Sequence, residues 1–280
     1  MEKKMFDGSL KNCVSMLMCP LCRGNFFAAD KFIKCENGHA FDISRQGYVN
    51  FLNKPVKTGY GKKLFVSRRA VTLDGFFNPI AIAVSEIIAK HFCGAKNISI
   101  ADFGCGEGSL FEKIVSLARL KTQITAACGI DISKDGISYG ANMYKDISWI
   151  AADLANPPLK DKSADIILNV FSPANYSQFK RCLKKGGLAV KIVPQAQYLK
   201  EIRSAIGKPE YADENAKRLF YENFDRVSME RIFYRADIKD TLRKDFMQMT
   251  PLAWGCGARE EDVDFSDGLT VEASVLYAKV

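Results

Sequence analysis

A glycine-rich turn between two apolar segments constrains the fold of this 280-residue chain more than any other feature. Residues 98–102 are mostly apolar and β-branched, which predicts a buried parallel strand that ends at Asp102. A Gly-x-Gly-x-Gly turn runs from Gly104 to Gly108, and apolar residues then recur at helical spacing over 110–120. A strand, a glycine turn and a helix in this order bring backbone N–H groups against a nucleotide-like ligand. We therefore expect an α/β domain with its ligand site at this turn.

The spacing of the glycines and the acid before them narrow the choice of ligand. The turn is not the Gly-x-Gly-x-x-Gly of a dinucleotide fold, and no Lys-Ser/Thr follows it as in a phosphate-binding loop. The carboxylate of Asp102 would repel a pyrophosphate but suits a cationic ligand. The pattern resembles motif I of the class I S-adenosylmethionine (AdoMet) methyltransferases, whose cofactor carries a sulfonium and no phosphate. The alternative is a plain βα turn of another α/β domain.

Further strands support the first interpretation. Strands are predicted at 124–130, 148–151, 164–170 and 188–193. Asp131 follows the second strand of the domain, where a carboxylate can accept hydrogen bonds from a ribose diol. The complete set of residues predicted to bind the cofactor is Asp102, Gly104, Cys105, Gly106, Glu107, Gly108, Asp131, Ile132, Ala152, Asp153 and Asn169.

The acceptor of the methyl group should lie at the end of the fourth strand. Asn169, Ser172 and Pro173 stand there, and we expect them to face the methyl group and the acceptor. Amine-methylating enzymes often have Asn/Asp-Pro-Pro-Phe/Tyr at this point, whereas this chain has Asn-Val-Phe-Ser, which fits a different acceptor. His39 and His91 both lie outside the predicted methyltransferase core, so the sequence identifies no general base.

The segments around these strands show the same kinds of pattern. Helices are predicted at 79–91, 133–142, 179–184 (with 185–187 as its C-terminal stop) and 195–208, strands at 224–238 and 269–280, and a charged helix-like stretch after Pro209. Residues 246–255 are apolar and aromatic, and we interpret them as a loop that frames a flipped base, with plain packing as the alternative.

Four residues near the N-terminus predict a zinc site. Cys19, Cys22, Cys35 and His39 form a Cys-x2-Cys-x12-Cys-x3-His pattern. Three thiolates and one imidazole complete a tetrahedral site with no open position, so the predicted zinc is structural. It would fold a module too small to be stable alone, whereas the alternative is a set of free thiols in a small apolar cluster.

Composition limits the partners and the compartment. The chain carries nine cysteines and no export signal, which favours a reducing compartment and a cytoplasmic protein. No apolar run is long enough to span a membrane. The net charge of +8 permits an anionic partner. Basic residues cluster between 54 and 69 with aromatic residues among them, as an RNA-binding segment requires, although a solvated linker has the same composition. These residues are Lys54, Lys57, Lys62, Lys63, Arg68 and Arg69, with Tyr60, Phe65 and Phe76.

Taken together, the motifs resemble one family, the bacterial 23S ribosomal RNA guanine-N1 methyltransferases. The resemblance runs from about residue 17 to 255 and rests on the zinc ligands, Phe41-Asp42, Gly47-Tyr48-Val49-Asn50, Arg68-Arg69 with Leu73-Asp74-Gly75, the glycine turn, Gly129-x-Asp131-x-Ser133-Lys134 and Gln248-Met249-Thr250-Pro251-x-Ala253-Trp254.

This resemblance implies three segments. They are a zinc-binding module with its lead-in at 1–53, a basic linker and helix at 54–95, and a Rossmann-like class I methyltransferase domain with a mostly parallel seven-stranded sheet at 96–280. It also implies transfer of a methyl group from AdoMet to N1 of a guanine in a hairpin loop of 23S ribosomal RNA. A homodimer is implied as well, with the zinc modules helping to form the RNA-binding cleft. Some members of the family protect against macrolide antibiotics.

Two other functions fit part of the sequence. One is an AdoMet-dependent methyltransferase that acts on a small molecule, for which the zinc module and the basic segment are unnecessary. The other is a zinc-bearing RNA-binding protein whose methyltransferase-like domain is inactive, against which the intact Asp102, glycine turn and Asp131 argue.

Overall fold

The computed structural model describes residues 8–28, 31–54, 56, 59–211, 214–254 and 259–280. The N-terminal part begins with a short helix and continues into a three-stranded antiparallel sheet and one separate strand. These elements are α1 (Gly8–Val14), β1 (Phe26–Ala28), β2 (Phe32–Cys35), β3 (Ala40–Asp42) and β4 (Tyr48–Asn50). Two helices, α2 (Lys62–Leu73) and α3 (Asn78–His91), connect this part to the large domain.

The large domain alternates strands and helices as the sequence predicts. In chain order its elements are β5 (Ile98–Phe103), α4 (Ser109–Arg119), β6 (Ile124–Asp131), α5 (Lys134–Met143), β7 (Ser148–Ala151), β8 (Ala164–Val170), α6 (Tyr176–Cys182), β9 (Leu183–Pro194), α7 (Lys200–Ala205), α8 (Glu214–Asn223), β10 (Ser228–Ala236), α9 (Arg243–Met249) and β11 (Leu269–Lys279).

The main sheet has eight strands in the order β10-β11-β9-β8-β5-β6-β7-β4. All neighbours from β4 to β9 pair in parallel, and β11 pairs antiparallel with both β9 and β10. Seven strands belong to the large domain, as predicted. The eighth, β4, comes from the segment assigned to the zinc module and lengthens the sheet beyond β7. The parallel arrangement puts the carboxyl ends of β5 to β8 at one edge, where ligands of open α/β sheets bind.

The sheet is buried on both faces by apolar side chains. On one face α3 and α4 contribute residues such as Ile80, Val84 and Phe111, all at most 1% exposed. On the other face α1 and α6 contribute Leu10 and Phe179 to a cluster that also includes apolar residues of the zinc module. The module is therefore packed against the sheet rather than tethered beside it.

Several predicted elements need correction. Residues 185–187 do not end a helix but lie in β9, because Val280 donates a backbone hydrogen bond to the Gly187 carbonyl at 2.9 Å. The helix predicted at 195–208 shrinks to α7, because the backbone N–H of Gln195 and that of Gln197 are both held by Glu272 of β11. The strand predicted at 224–238 starts later, as β10.

The predicted loop at 246–255 is also wrong in its main part. Residues up to 249 belong to α9, and a single 3-10 turn follows at Pro251–Ala253. Phe246 is fully buried and Trp254 is half-exposed, whereas Gly255 lies outside the described residues. Lys57 of the basic segment also lies outside them.

Among the described residues, no single helix is long and apolar enough to cross a membrane. The helices α2 and α3 meet that test only when taken as a pair, and they are bent by 75° relative to each other.

Candidate active site and metal centre

The glycine turn lies where β5 ends and α4 begins. The N–H of Gly104 donates to the Ile130 carbonyl at 2.8 Å, which ties the turn to the neighbouring strand β6. Gly108, with φ of +78°, precedes the first residue of α4. A Cβ at this position would lie 1.9 Å from the indole of Trp149, a residue of β7 that is 1% exposed. The absence of a side chain at Gly108 is therefore a packing requirement as well as a conformational one.

Asp131 faces this turn from the end of β6. One carboxylate oxygen accepts the Gly106 N–H at 2.8 Å and the other accepts the Ser133 N–H at 2.7 Å. Burial raises the pKa of Asp131, while these backbone donors oppose the rise. A carboxylate offers about four lone-pair sites, so acceptor capacity remains for a ligand diol.

Asp102 is a buried carboxylate at the end of β5 with one oxygen that lacks a hydrogen-bond donor in the described part of the chain. Its side chain is 3% exposed, and its Oδ1 has no hydrogen-bond partner among the described residues. Burial raises the pKa of Asp102 well above its usual range, the charge of Asp131 adds to the rise, and Lys191 opposes it. A buried acceptor without a donor fits a ligand that brings a cation or an N–H group to it.

The other predicted cofactor residues lie along the same edge. Ala152 donates its N–H to the Asp131 carbonyl at 3.0 Å, which places Ala152 and the exposed Asp153 beside the end of β6. Ile132 is half-buried next to Asp131, and Cys105 is half-buried within the turn. Glu107 is buried, and its two carboxylate oxygens accept hydrogen bonds from the backbone N–H and the hydroxyl of Ser109. Because Ser109 is the first residue of α4, Glu107 stabilises the N-terminus of this helix.

The acceptor side is organised around Asn169, a fully buried residue of β8. Its amide nitrogen donates to the carbonyl of Phe103 and, at 3.2 Å, to that of Pro173. Its amide oxygen accepts a hydrogen bond from Lys191, and Lys191 also donates to the Ser172 carbonyl. The amide nitrogen of Asn169 thus ties the end of β5 to the loop after β8. Ser172 is half-buried beside Gly104, so its hydroxyl is the polar side chain of this loop closest to the glycine turn.

Lys191 is a residue of the site that no sequence pattern predicted, and two aromatic residues expected to contact RNA lie elsewhere. Lys191 stands in the apolar run of β9 and is 4% exposed; a lysine within such a run was the available signal. In the basic segment, Phe65 and Phe76 are buried in the core and cannot stack on bases. Arg68 lies at the glycine turn, with Nη1 3.2 Å from the position that a Cβ on Gly106 would occupy.

The four predicted zinc ligands converge. Their ligand atoms all lie within 4.8 Å of one another. The Sγ atoms of Cys22 and Cys35 are 3.7 Å apart, and His39 Nδ1 lies 3.6 Å from Cys19 Sγ and 3.4 Å from Cys35 Sγ. With Zn–S bonds of about 2.3 Å and Zn–N bonds of about 2.0 Å, a tetrahedral site requires S···S of about 3.8 Å and S···N of about 3.5 Å. The donor set therefore fits zinc.

The surroundings of Cys22 favour its thiolate form, whereas burial raises the pKa of Cys19. Asn37 Nδ2 donates to Cys22 Sγ at 3.3 Å, and this hydrogen bond, with the help of the Gly24 backbone, lowers the pKa of Cys22 to about 6. The thiolate is the form that binds metal. Gly38, with φ of +89°, allows the second turn to bring Cys35 and His39 together.

The strand order, the glycine turn and the acidic strand ends define a class I AdoMet-dependent methyltransferase that carries a zinc ribbon. A methyltransferase domain model matches residues 100–187, and a zinc-ribbon model described as "RlmA, N-terminal" matches residues 17–59. The chain is 39% identical over 247 residues to the Bacillus subtilis protein YxjB, provisionally named a 23S rRNA (guanine-N(1)-)-methyltransferase, with 86% of this chain and 87% of the relative covered. The chain belongs to this family of guanine-N1 methyltransferases.

A second relative and one solved structure are also similar to this chain. The Streptomyces fradiae 23S rRNA (guanine(748)-N(1))-methyltransferase is 32% identical over 257 residues, which cover 87% of this chain and 88% of the relative. Among solved structures, a Methanococcus maripaludis protein provisionally described as an AdoMet-dependent methyltransferase aligns with a TM-score of 0.46 and 18% identity, covering 78% of this chain and 95% of that one.

Proposed function

We propose that this protein transfers a methyl group from AdoMet to N1 of a guanine in a hairpin loop of 23S ribosomal RNA. The observation that carries the proposal is the 39% identity that runs through both the zinc ribbon and the methyltransferase domain. A relative that shared only the cofactor fold would leave the acceptor open, because that fold serves many acceptors.

The residues of the strand edge take separate roles in this proposal. AdoMet, when bound, supplies an electrophilic methyl group on its sulfonium. Asp131 accepts hydrogen bonds from the ribose diol, Asp102 receives the cationic part of the cofactor, and Asp153 lies toward the adenine. Gly104, Gly106 and Gly108 allow the backbone to approach the ligand closely.

On the acceptor side the protein mainly positions the base and excludes water. Attack by N1 needs an in-line approach to the methyl group, and positioning can supply much of the rate. The Ser172 hydroxyl and the backbone carbonyl of Pro173 are the groups we assign to the guanine edge, and Asn169 holds the loop that carries them. Guanine N1 must also lose a proton. We assign no side chain as the base: His39 lies in the zinc site, and His91 Nδ1 is 2.8 Å from the Ile87 carbonyl, in helix α3.

The RNA-binding surface should include exposed groups of the basic segment and of the large domain. Lys54, Lys62 and Lys63 are exposed, and Tyr60 and Trp254, 45% and 37% exposed, have ring centroids 5.8 Å apart. Charges of this kind bind phosphates and such rings stack on unpaired bases.

A homodimer whose zinc modules help to form the RNA cleft, and a cytoplasmic location with the ribosomal substrate, complete the proposal. The zinc ribbon leaves the apolar side chains of Leu21, Phe27 and Phe32 exposed, which supports a macromolecular contact of the ribbon. Sedimentation of the purified protein with and without the RNA hairpin tests the dimer.

The activity is tested with labelled AdoMet and 23S RNA that lacks its native methyl groups, followed by primer extension. A methyl group on N1 blocks the Watson–Crick edge, so reverse transcription should stop at one guanine of one hairpin. An Asp131→Ala variant, deficient in cofactor binding, is the control for contaminating enzymes. AdoMet binding without transfer to naked RNA or to ribosomal particles would contradict the proposal and favour a small-molecule acceptor.

A further inference from the structure

Helix α2 lies over the glycine turn and brings one arginine to it. Arg68 Nη1 is 3.2 Å from the position of a Cβ on Gly106, and the ring of Phe65, one turn earlier, is 3.7 Å from the same point. The helix is fixed from its other side, because Ser67 donates to Asp245 Oδ1 at 2.6 Å and lies 3.3 Å from Gln248 Oε1, both on α9. The guanidinium of Arg68 is therefore held at the cofactor edge by a packed helix.

Arg68 is half-buried, yet its guanidinium has neither a hydrogen bond nor an ion pair within the ranges of the chain that the structure describes. The nearest carboxylates, those of Asp131 and Glu107, feel the charge of Arg68 but form no hydrogen bond or ion pair with it. Asp131 is engaged by the N–H groups of Gly106 and Ser133, and Glu107 is engaged by Ser109. A half-buried arginine at a ligand site that forms no hydrogen bond or ion pair with an anion of the chain is suited to an anionic group of the ligand.

The charge of Arg68 affects the pKa of three groups around the cofactor edge. Burial raises the pKa of Asp131, Glu107 and Tyr198, and in each case the positive charge of Arg68 opposes the rise. The guanidinium, which lies at Gly106 of the glycine turn, is thus coupled by its charge to the end of β6 and to the half-buried Tyr198. This position is inside the cleft rather than on the exposed face of α2, where Lys62 and Lys63 lie.

We propose that Arg68 binds the carboxylate of the amino acid end of AdoMet through its planar guanidinium. The inference rests on the proposed function and adds a cofactor-binding residue that lies outside the methyltransferase domain's own strand edge. The fork of five N–H donors matches a carboxylate with two parallel hydrogen bonds, which a lysine cannot reproduce. The proposal also divides the basic segment into two roles. Its lysines remain available to bind RNA, whereas Arg68 binds the cofactor.

Calorimetry with two ligands separates this role from a structural one. S-adenosylhomocysteine carries the carboxylate, whereas 5′-methylthioadenosine shares the nucleoside and lacks the amino acid end. Arg68→Met should weaken binding of S-adenosylhomocysteine by about 10- to 100-fold and change binding of 5′-methylthioadenosine less than about twofold. Arg68→Lys, which keeps the charge and loses the fork, should give an intermediate loss with the first ligand only.

Arg69→Met is the matched control. Arg69 is the next residue of α2. Its charge acts on Tyr144, and on Glu107 it ranks behind that of Arg68, so both ligands should bind the Arg69→Met variant nearly as they bind the wild type. Equal losses for both ligands in Arg68→Met, or no loss for either, would overturn the inference. A loss of affinity for the 23S RNA hairpin with unchanged binding of S-adenosylhomocysteine would assign Arg68 to RNA phosphate instead. Failure of the wild type to bind S-adenosylhomocysteine would count against the proposed function itself.

Discussion

Replacement of Gly108 by alanine tests how tightly the glycine turn is packed. The new Cβ would lie 1.9 Å from Cη2 and 2.4 Å from Cζ3 of Trp149. The indole cannot move away easily, because it is 1% exposed and its Nε1 donates to the Tyr144 carbonyl at 2.9 Å. Gly129 and Gly140 also pack on this ring, with Cβ positions 2.6 and 3.0 Å from it. The clash must therefore displace the turn or the indole.

Two separate costs set the size of the effect. Alanine at a φ of +78° costs about 1–2 kcal/mol in backbone conformation. Forcing an extra carbon into a close-packed site costs about 1–3 kcal/mol more. The free energy of unfolding should therefore fall by about 2–5 kcal/mol, a large part of the stability of a typical domain.

Gly207→Ala isolates the first cost. Gly207 has a φ of +65°, and no atom lies within 4 Å of its Cβ position, so this variant should lose only the conformational part, about 1–2 kcal/mol. Trp149→Phe shortens the ring, so the double variant Gly108→Ala/Trp149→Phe should lose less stability than the sum of the two single variants.

Urea unfolding followed by far-ultraviolet circular dichroism measures these free energies, and calorimetry with S-adenosylhomocysteine reports on the turn. We expect Gly108→Ala to bind the ligand weakly at a temperature where it is still folded. Two results together would refute the close contact between the turn and the indole. The first is that Gly108→Ala lowers the free energy of unfolding no more than Gly207→Ala does. The second is that the loss in the double variant Gly108→Ala/Trp149→Phe equals the sum of the losses in the two single variants.

Three further predictions concern the metal, the RNA and a buried acid. Cys22→Ser should lower the zinc content below one ion per chain and remove amide-exchange protection from the ribbon. Cys93→Ser changes an exposed cysteine outside the zinc site and is the control that should keep both. A full zinc complement in Cys22→Ser would contradict the four-ligand site. Lys62→Glu with Lys63→Glu should weaken RNA binding and reduce the slope of log K against log salt by about 1–2, with cofactor affinity unchanged; unaltered RNA affinity would make this segment a linker. Asp102 has a raised pKa, so the folded protein keeps a proton that the unfolded chain releases above about pH 4, and stability falls as pH rises. Asp102→Asn should remove this decline in urea titrations between pH 4 and 7 and weaken cofactor binding, and an unchanged pH dependence would exclude an ionisation at this position.

The elements that the sequence predicts well are those with local signals. The strand at 164–170 is an apolar run with clear ends, and the structure confirms it with the same bounds. The zinc ligands are predicted equally well, since their spacing alone fixes two turns that point at a common centre. In both cases the information lies within a few residues of the feature.

The features that escaped prediction depend on distant partners. Gly186 and Gly187 have the composition of a helix stop, but pairing with the C-terminal residue Val280 draws them into β9. The burial of Phe65 and the position of Arg68 depend on how α2 packs on the glycine turn, which no local pattern encodes. Lys191 is visible as a charge in an apolar run, but its partners at Asn169 and Ser172 are 22 and 19 positions away in the chain.

The zinc ribbon and the cofactor edge are linked through β4, so we expect loss of the metal to affect more than the local fold. Asn50 of β4 pairs with Ala151 of β7, and the Phe51 N–H donates to the Ala151 carbonyl at 2.8 Å. Phe51 in turn stacks on Phe26 of the ribbon, with ring centroids 5.6 Å apart. Ala152 and Asp153 follow Ala151 directly, and Asp153 is the residue that we assign to the adenine. Loss of zinc should therefore loosen an edge strand that borders the predicted cofactor site, and a chelator should weaken binding of S-adenosylhomocysteine even though none of the four zinc ligands is a predicted cofactor residue.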